Sequence, residues 1–242
     1  MERVLENFEA WLPWFSLFRG AEVRQIAGVT AWTSDVAVPF FNGAYGVPET
    51  TVDDVLPFLD GRPVLWVVPP PGGIDDDLSS RGFSPTEVPG MQMNLARLPD
   101  LVLPPGVEVH PVDHDRELLA RATTIAFTTN GFPADVTEPM LELLDRIPNR
   151  DQFRTFLATV NGVPAAASAL LVKGDTAGLY NVGTLPEFRR RGLGRLVSLA
   201  ALEAGRVEGC SVGVLEASPD GYPMYRTLGF EQVCRLTFAV RA

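Results

Sequence analysis

Four arginines, Arg189, Arg190, Arg191 and Arg195, surround Gly192, Leu193 and Gly194. Glycine lets backbone N–H groups turn toward one point without side-chain interference. A helix that begins there adds its unpaired first-turn N–H groups and its positive end. That combination suits a phosphate or a pyrophosphate. A short way on, Glu216 ends the strand before Ser218 and offers a carboxyl able to take a proton. A solvated strand end is equally open to it. His110 and His114 have the i, i+4 spacing of a metal pair, but Pro111 between them opposes the helix that would align them. No metal is expected. Cys210 and Cys234 lie in apolar surroundings and have neither metal nor disulfide-framework spacing.

The elements that must position these residues are legible in the second half. Val107 to His110 reads as a strand, and Asp113 to Phe127 and Thr137 to Arg146 as helices. Phe153 to Val160 and Val163 to Val172 are apolar runs joined by Asn161-Gly162, a strong hairpin signal. Gly174-Asp175 turns into a third strand, Ala177 to Thr184, so these strands are antiparallel. Apolar residues at 193, 196, 197, 200, 204 and 207 give an amphipathic helix to about Glu208. Val212 to Leu215 is a buried strand, Ser218-Pro219-Asp220 a helix start with Ser as N-cap, and Gly229 its end. Phe230 to Val240 is the last strand.

Three readings compete for the glycine–arginine segment. A dinucleotide-binding turn needs G-x-G-x-x-G/A after a parallel strand, but Val197 holds the third position and the preceding strands are tied by hairpins. A bare basic helix start is the second reading, and a P-loop fails for want of Gly-Lys-Ser/Thr. The third is a family resemblance. Thr184-Leu185-Pro186-Glu187-Phe188-Arg189-Arg190-Arg191-Gly192-Leu193-Gly194 resembles the acyl-CoA-binding motif of the GNAT acetyltransferase superfamily, with its Arg/Gln-x-x-Gly-x-Gly/Ala core. Ser218 to Phe230, ending Tyr225-Arg226-Thr227-Leu228-Gly229-Phe230, resembles the family's C-terminal motif.

The resemblance covers about Val107 to the C-terminus. It implies an α/β (α+β) fold with a mixed, mostly antiparallel twisted sheet flanked by helices. It also implies an acetyl-CoA-dependent N-acetyltransferase acting on a small-molecule or peptide amine. Val182, Gly183 and Thr184 would offer backbone groups to the pantetheine arm. Arg189, Arg190, Arg191, Gly192, Leu193, Gly194 and Arg195 would hold the pyrophosphate, with Ser218 and Gly221 as further coenzyme contacts. Tyr225 takes the place of a general acid for the thiolate. Ser218 departs from the Asn that many members carry. Phe127, Asn130 and Phe132, between the domain's first two helices, occupy the region that shapes the acceptor pocket, and Asn181 is a further candidate. Glu216 is the candidate base. A non-catalytic acyl-CoA-binding module is the alternative.

Leu98 to Gly106 is proline-rich and extended, a domain linker. The expected division is 1–98, a linker at 99–106, and 107–242. In the first half, Leu5 to Phe18 suggests a helix, Glu22 to Thr33 and Val36 to Phe41 strands, and Thr51 to Leu59 a short helix. Val64 to Val68 is a buried strand, Asp75 to Arg81 a helix, and Met91 to Ala96 a strand. Ser80-Arg81-Gly82-Phe83 echoes Thr227-Leu228-Gly229-Phe230, which suggests a degenerate copy of the same fold. The place comparable to the arginine loop reads Gly46-Val47-Pro48-Glu49-Thr50-Thr51, acidic and unsuited to phosphate. The final strand would leave an apolar edge, which Met91 to Leu95 could cover.

The chain carries 30 acidic and 20 basic residues, a formal charge of -10. That balance opposes nucleic-acid binding. No apolar run suits a membrane span or a signal peptide, so a cytoplasmic monomer or homodimer is expected.

Overall fold

The computed structural model describes Met1–Ala242. Its helices are α1 (Glu2–Glu9), α2 (Leu56–Leu59), α3 (Asp75–Ser79), α4 (Arg116–Thr129), α5 (Thr137–Arg146), α6 (Leu193–Val207) and α7 (Tyr222–Leu228). The first five strands are β1 (Glu22–Ile26), β2 (Val29–Thr33), β3 (Gly43–Tyr45), β4 (Val64–Val68) and β5 (Ser84–Asn94). The second half adds β6 (Val107–Pro111), β7 (Phe153–Val160), β8 (Val163–Lys173), β9 (Thr176–Thr184), β10 (Val212–Glu216) and β11 (Glu231–Arg241). All belong to one 11-stranded sheet, ordered β1-β2-β3-β4-β11-β5-β10-β9-β8-β7-β6. Only β3–β4 and β9–β10 are parallel. The fold is therefore mixed α/β with a mostly antiparallel sheet, as expected.

Local sequence explains most of these elements. Asn161 and Gly162 both take positive φ, 50° and 79°, as the tight turn between β7 and β8 requires. Asp115 caps α4 by accepting from the Glu117 and Leu118 N–H groups. One face of the sheet packs α1, α4 and α5 around Phe8, Leu119, Ile125, Met140 and Val214. The opposite face packs α6 and α7 through Leu199, Leu202, Tyr225 and Leu228, and α2 and α3 through Leu59, Trp66 and Leu78.

Four expectations need correction. The N-terminal helix does not run from Leu5 to Phe18: α1 ends at Glu9 and a 3-10 helix spans Leu12–Leu17. Pro13 explains the break, since proline removes an N–H and collides with the preceding turn. Val36 to Phe41 is not a strand. The buried Asn42 carboxamide donates to the Val36 and Val38 carbonyls at 2.7 and 3.2 Å, so this loop closes on a side chain rather than on a strand. The strand expected at Met91 to Ala96 is longer, Ser84–Asn94. Finally, α7 begins at Tyr222, not at Pro219. Ser218 closes a turn before it, accepting from the Gly221 N–H at Oγ (3.2 Å) and at its carbonyl (3.1 Å).

The central strands carry the largest departure from a simple chain order. The path β3–β4–α3–Gly82-Phe83–β5 has the same sequence of steps as β9–β10–α7–Gly229-Phe230–β11, and Gly82 and Gly229 both have positive φ, 83° and 104°. Yet β5 pairs with β10, and β11 pairs with β4. β5 and β11 also pair with each other at the centre. Met91 and Gln92 thus lie beside the last strand, as expected, and also between it and β10.

Candidate active site

The glycine–arginine segment leaves β9, passes through a 3-10 turn at Pro186–Phe188, and opens α6. Arg190 and Gly192 both have positive φ, 64° and 78°. No side chain caps α6. The first main-chain bond of the helix runs from the Leu196 N–H to the Gly192 carbonyl at 3.1 Å. Every backbone N–H from Arg190 to Arg195 is consequently without a protein acceptor, and alternating left-handed residues curve such groups into a concave nest. Arg189, Arg190 and Arg191 are exposed, and neither they nor Arg195 pairs with a carboxylate. Arg189 instead donates to the Thr184 carbonyl at 3.2 Å, and the Arg191 guanidinium lies over the Phe188 ring at 5.3 Å. Leu193 is buried and anchors the helix start. Unpaired donors and cations at one place can hold an anion.

Beside this nest the sheet splits. β9 and β10 pair in parallel only through Val212↔Thr176, Gly213↔Ala177 and Val214↔Gly178. Beyond Gly178, β9 bends away. Its register against β8 shifts between Ala167 and Ala169, and Asn181 takes a positive φ of 52°. A bulge of this kind bends a strand and re-aims its side chains. The α6 start adjoins the fork, since a Cβ at Gly194 would lie 3.5 Å from Thr184 Oγ1, 3.7 Å from Met224 Sδ and 3.9 Å from Val182 Cγ1. Gly183 faces α4 and must be glycine, because a Cβ would collide with Thr129 and stand 3.1 Å from the Ile125 carbonyl.

Glu216 ends β10 on the face that carries α1. Its Oε1 is buried without a hydrogen-bond partner. Burial pushes its carboxyl up to about 8, opposed only by its own backbone N–H. Tyr225 lies on the opposite face. Its ring is buried, meets Phe230 edge-on at 5.8 Å, and would stand 2.9 Å from a Cβ on Gly221. Desolvation raises its phenol far above the usual value, so it stays protonated, with the Ser198 hydroxyl beside it.

The remaining candidates are less directly exposed to the fork. Asn130 Nδ2 donates to the Ala126 carbonyl (2.6 Å) and the Val182 carbonyl (3.2 Å), tying the end of α4 to β9. Phe127 is buried and meets Phe132 edge-on at 5.3 Å, and Phe132 meets Phe40 of the first half at 6.3 Å. Asn181 lines a small cavity with Phe127, Met140, Phe153 and Ser168. His110 pairs with Glu108 at 3.3 Å on the exposed edge strand β6. Sequence reasoning missed the residues that surround Glu216 from afar: Asn7, Tyr45, Tyr180 and Cys234. Nothing local marks them, because all four come from other elements, α1, β3, β9 and β11.

Residues 106–218 match the family model for an acetyltransferase (GNAT) domain. No curated protein matches the chain. Among solved structures, a GCN5-related N-acetyltransferase from Kribbella flavida is similar, with TM-score 0.72 and 22% identity over 96% of this chain and 93% of that one. A GCN5-related N-acetyltransferase-like protein from Streptococcus suis gives TM-score 0.61 and 13% identity, covering 99% of each chain. One from Sphaerobacter thermophilus gives 0.60 and 14%, over 88% of this chain and 76% of that one. At such identities these structures speak for the fold alone. No helix is long and apolar enough to cross a membrane. The family match thus lies within residues 106–218, which carry a GNAT acetyltransferase domain.

Proposed function

We propose that this protein moves an acetyl or other short acyl group from acyl-CoA to a primary amine of a small molecule or peptide, by direct attack in a ternary complex. The observation that carries this reading is the run of unbonded N–H groups from Arg190 to Arg195, set beside the open fork between β9 and β10. Arg189 to Arg195 would hold the coenzyme's pyrophosphate, chiefly through backbone N–H groups. Val182 to Thr184 and the Ser218–Gly221 turn would flank its pantetheine arm. The coenzyme supplies a thioester, activated for attack by an amine.

The chain's own groups then manage protons. A neutral amine is the nucleophile, so a base must accept its proton as the C–N bond forms, and the unpaired Glu216 carboxyl supports its reading as that base. As the C–S bond breaks, Tyr225 gives a proton to the sulfur from the other face of the sheet. Asn130, Phe127, Phe132 and Asn181 shape the acceptor side through α4 and β9. Residues 1–98 are read as a second copy of the same fold without a coenzyme site. The repeated strand–helix–strand path supports this, and Glu49 stands where the second half has arginines. A partly buried carboxyl at the end of β10 and a buried phenol on the other face of the sheet support turnover over a module that only binds coenzyme.

The test combines calorimetry with acetyl-CoA and thiol release over a panel of amines and alcohols. Binding should be accompanied by release with amines and not with alcohols. Tyr225→Phe should keep the affinity and lower turnover by about 10²–10⁴-fold, the usual contribution of a positioned acid. Binding without release for any amine would leave the non-catalytic module standing.

A further inference from the structure

The last paired residues at the fork are Gly178 and Val214. Two residues further along each strand, past the last pair, stand Tyr180 and Glu216; both lie on the face covered by α1, close enough for the Glu216 charge to raise the Tyr180 phenol. A tyrosine so placed is an obvious donor to the carboxylate, yet Glu216 Oε1 has no partner. The Tyr180 hydroxyl donates instead to Asn7 Oδ1, at 2.7 Å. Asn7 is fully buried on α1, and its Nδ2 donates to the Leu171 carbonyl of β8 at 3.3 Å. Gly178 makes the arrangement possible, since a Cβ there would stand 2.6 Å from Tyr180 Cε2 and collide with the Asn7 carboxamide. Trp11 meets the Tyr180 ring edge-on at 5.4 Å. The ring is thus folded back over Gly178 and clamped by the N-terminal segment.

We infer that Asn7 is a positioning residue for acyl transfer: by holding Tyr180 folded back, it leaves the Glu216 carboxyl without a donor and so keeps it a strong base. The inference rests on the reading of Glu216 as the proton acceptor. The other titratable groups facing Glu216 are Tyr45 of β3 and Cys234 of β11. Glu9 of α1 bonds to the Tyr45 hydroxyl at 2.9 Å, and the amino terminus lies near Cys234. None of these side chains is cationic. Tyr45 stays held by Glu9 when Asn7 is changed, so Tyr180 is the neighbour whose release in those variants would add a hydrogen bond to the ionised form, and such a bond lowers a carboxyl's pKa.

The experiment follows Glu216 in the full-length protein by the pH dependence of turnover and by a carbon-13 titration of its side-chain carboxyl. The parent midpoint should lie near 8, where burial pushes the Glu216 carboxyl. Asn7→Ala and the better-filling Asn7→Leu should move both midpoints down by about one unit or more. Maximal turnover should fall roughly tenfold, since a weaker base transfers the proton less readily, and KM for acyl-CoA should hold. Adding Tyr180→Phe to either variant should return the midpoint to the parental value. A parental midpoint in both single variants overturns the inference, as does a shift that survives Tyr180→Phe. Glu216→Gln separates this from the underlying reading. Parental turnover in that variant removes Glu216 as base and the inference with it, whereas an inactive Glu216→Gln with unmoved midpoints in the Asn7 variants overturns the role of Asn7 alone.

Discussion

A carboxyl with one oxygen sealed from water and unbonded is costly to the folded state when ionised. Glu216 is such a group, and its folded pKa of about 8 lies above the ordinary glutamate value. The folded protein therefore binds a proton that the unfolded chain releases, and stability falls as pH rises from about 4 through about 8. The loss is on the order of 5 kcal/mol at about 1.4 kcal/mol per unit. Glu216→Gln removes it. The variant should match or fall below the parent in urea midpoint at acid pH and exceed it at alkaline pH. A difference that does not change with pH would contradict the buried, unpaired state. Glu216 stands out in the sequence as a carboxyl at a strand end, and Tyr225 through the resemblance of Ser218 to Phe230 to a family motif. Asn7 does not, because an asparagine on a short amphipathic helix has many uses and its partner Tyr180 is 173 positions away.

At the scale of elements, the nest at the start of α6 depends on Gly192. Its φ of 78° is strained for a residue with a Cβ, and worse for a branched one, although no atom lies within 4 Å of a Cβ built there. Gly192→Val should therefore leave the core intact while re-aiming the N–H groups. Acetyl-CoA affinity by calorimetry should fall more than tenfold, over ~1.4 kcal/mol, with thermal stability only modestly reduced. Unchanged affinity would move the coenzyme site elsewhere. Elements were best read where chain-local physics dominates. The hairpin at Asn161-Gly162, the bounds of α5 and the strand at Val64–Val68 follow from turn chemistry and apolar periodicity. The start of α7 was misplaced because Ser218-Pro219 can begin a helix or close a turn, and the Ser218 oxygens decided for the turn.

Across the whole molecule, the two halves are joined by exchanged strands. β11 has β4 on one side and β5 on the other, and β5 also supplies the neighbour of β10. A fragment 101–242 would lose both neighbours of β11 and one of β10, and it would lose the α1 clamp on Tyr180. It should be poorly soluble, since unpaired apolar edges aggregate, and it should not turn over amines. A soluble fragment with full thiol-release activity would refute this interdependence. The sequence alone determined the glycine–arginine loop that opens α6, the alternation of strands and helices, and the need to cover the last strand. Each of these is written in residues close together, where sterics, capping and periodicity act. Only the tertiary structure decided which partners the two long strands take, because Gly82-Phe83 and Gly229-Phe230 send the same local signal. The choice between neighbouring edges depends on register and packing across the sheet. The same is true of the Glu216 environment, whose unusual proton affinity is a property of burial by groups from β3, β9, β11 and α1, none of them near it in the chain except through the fold.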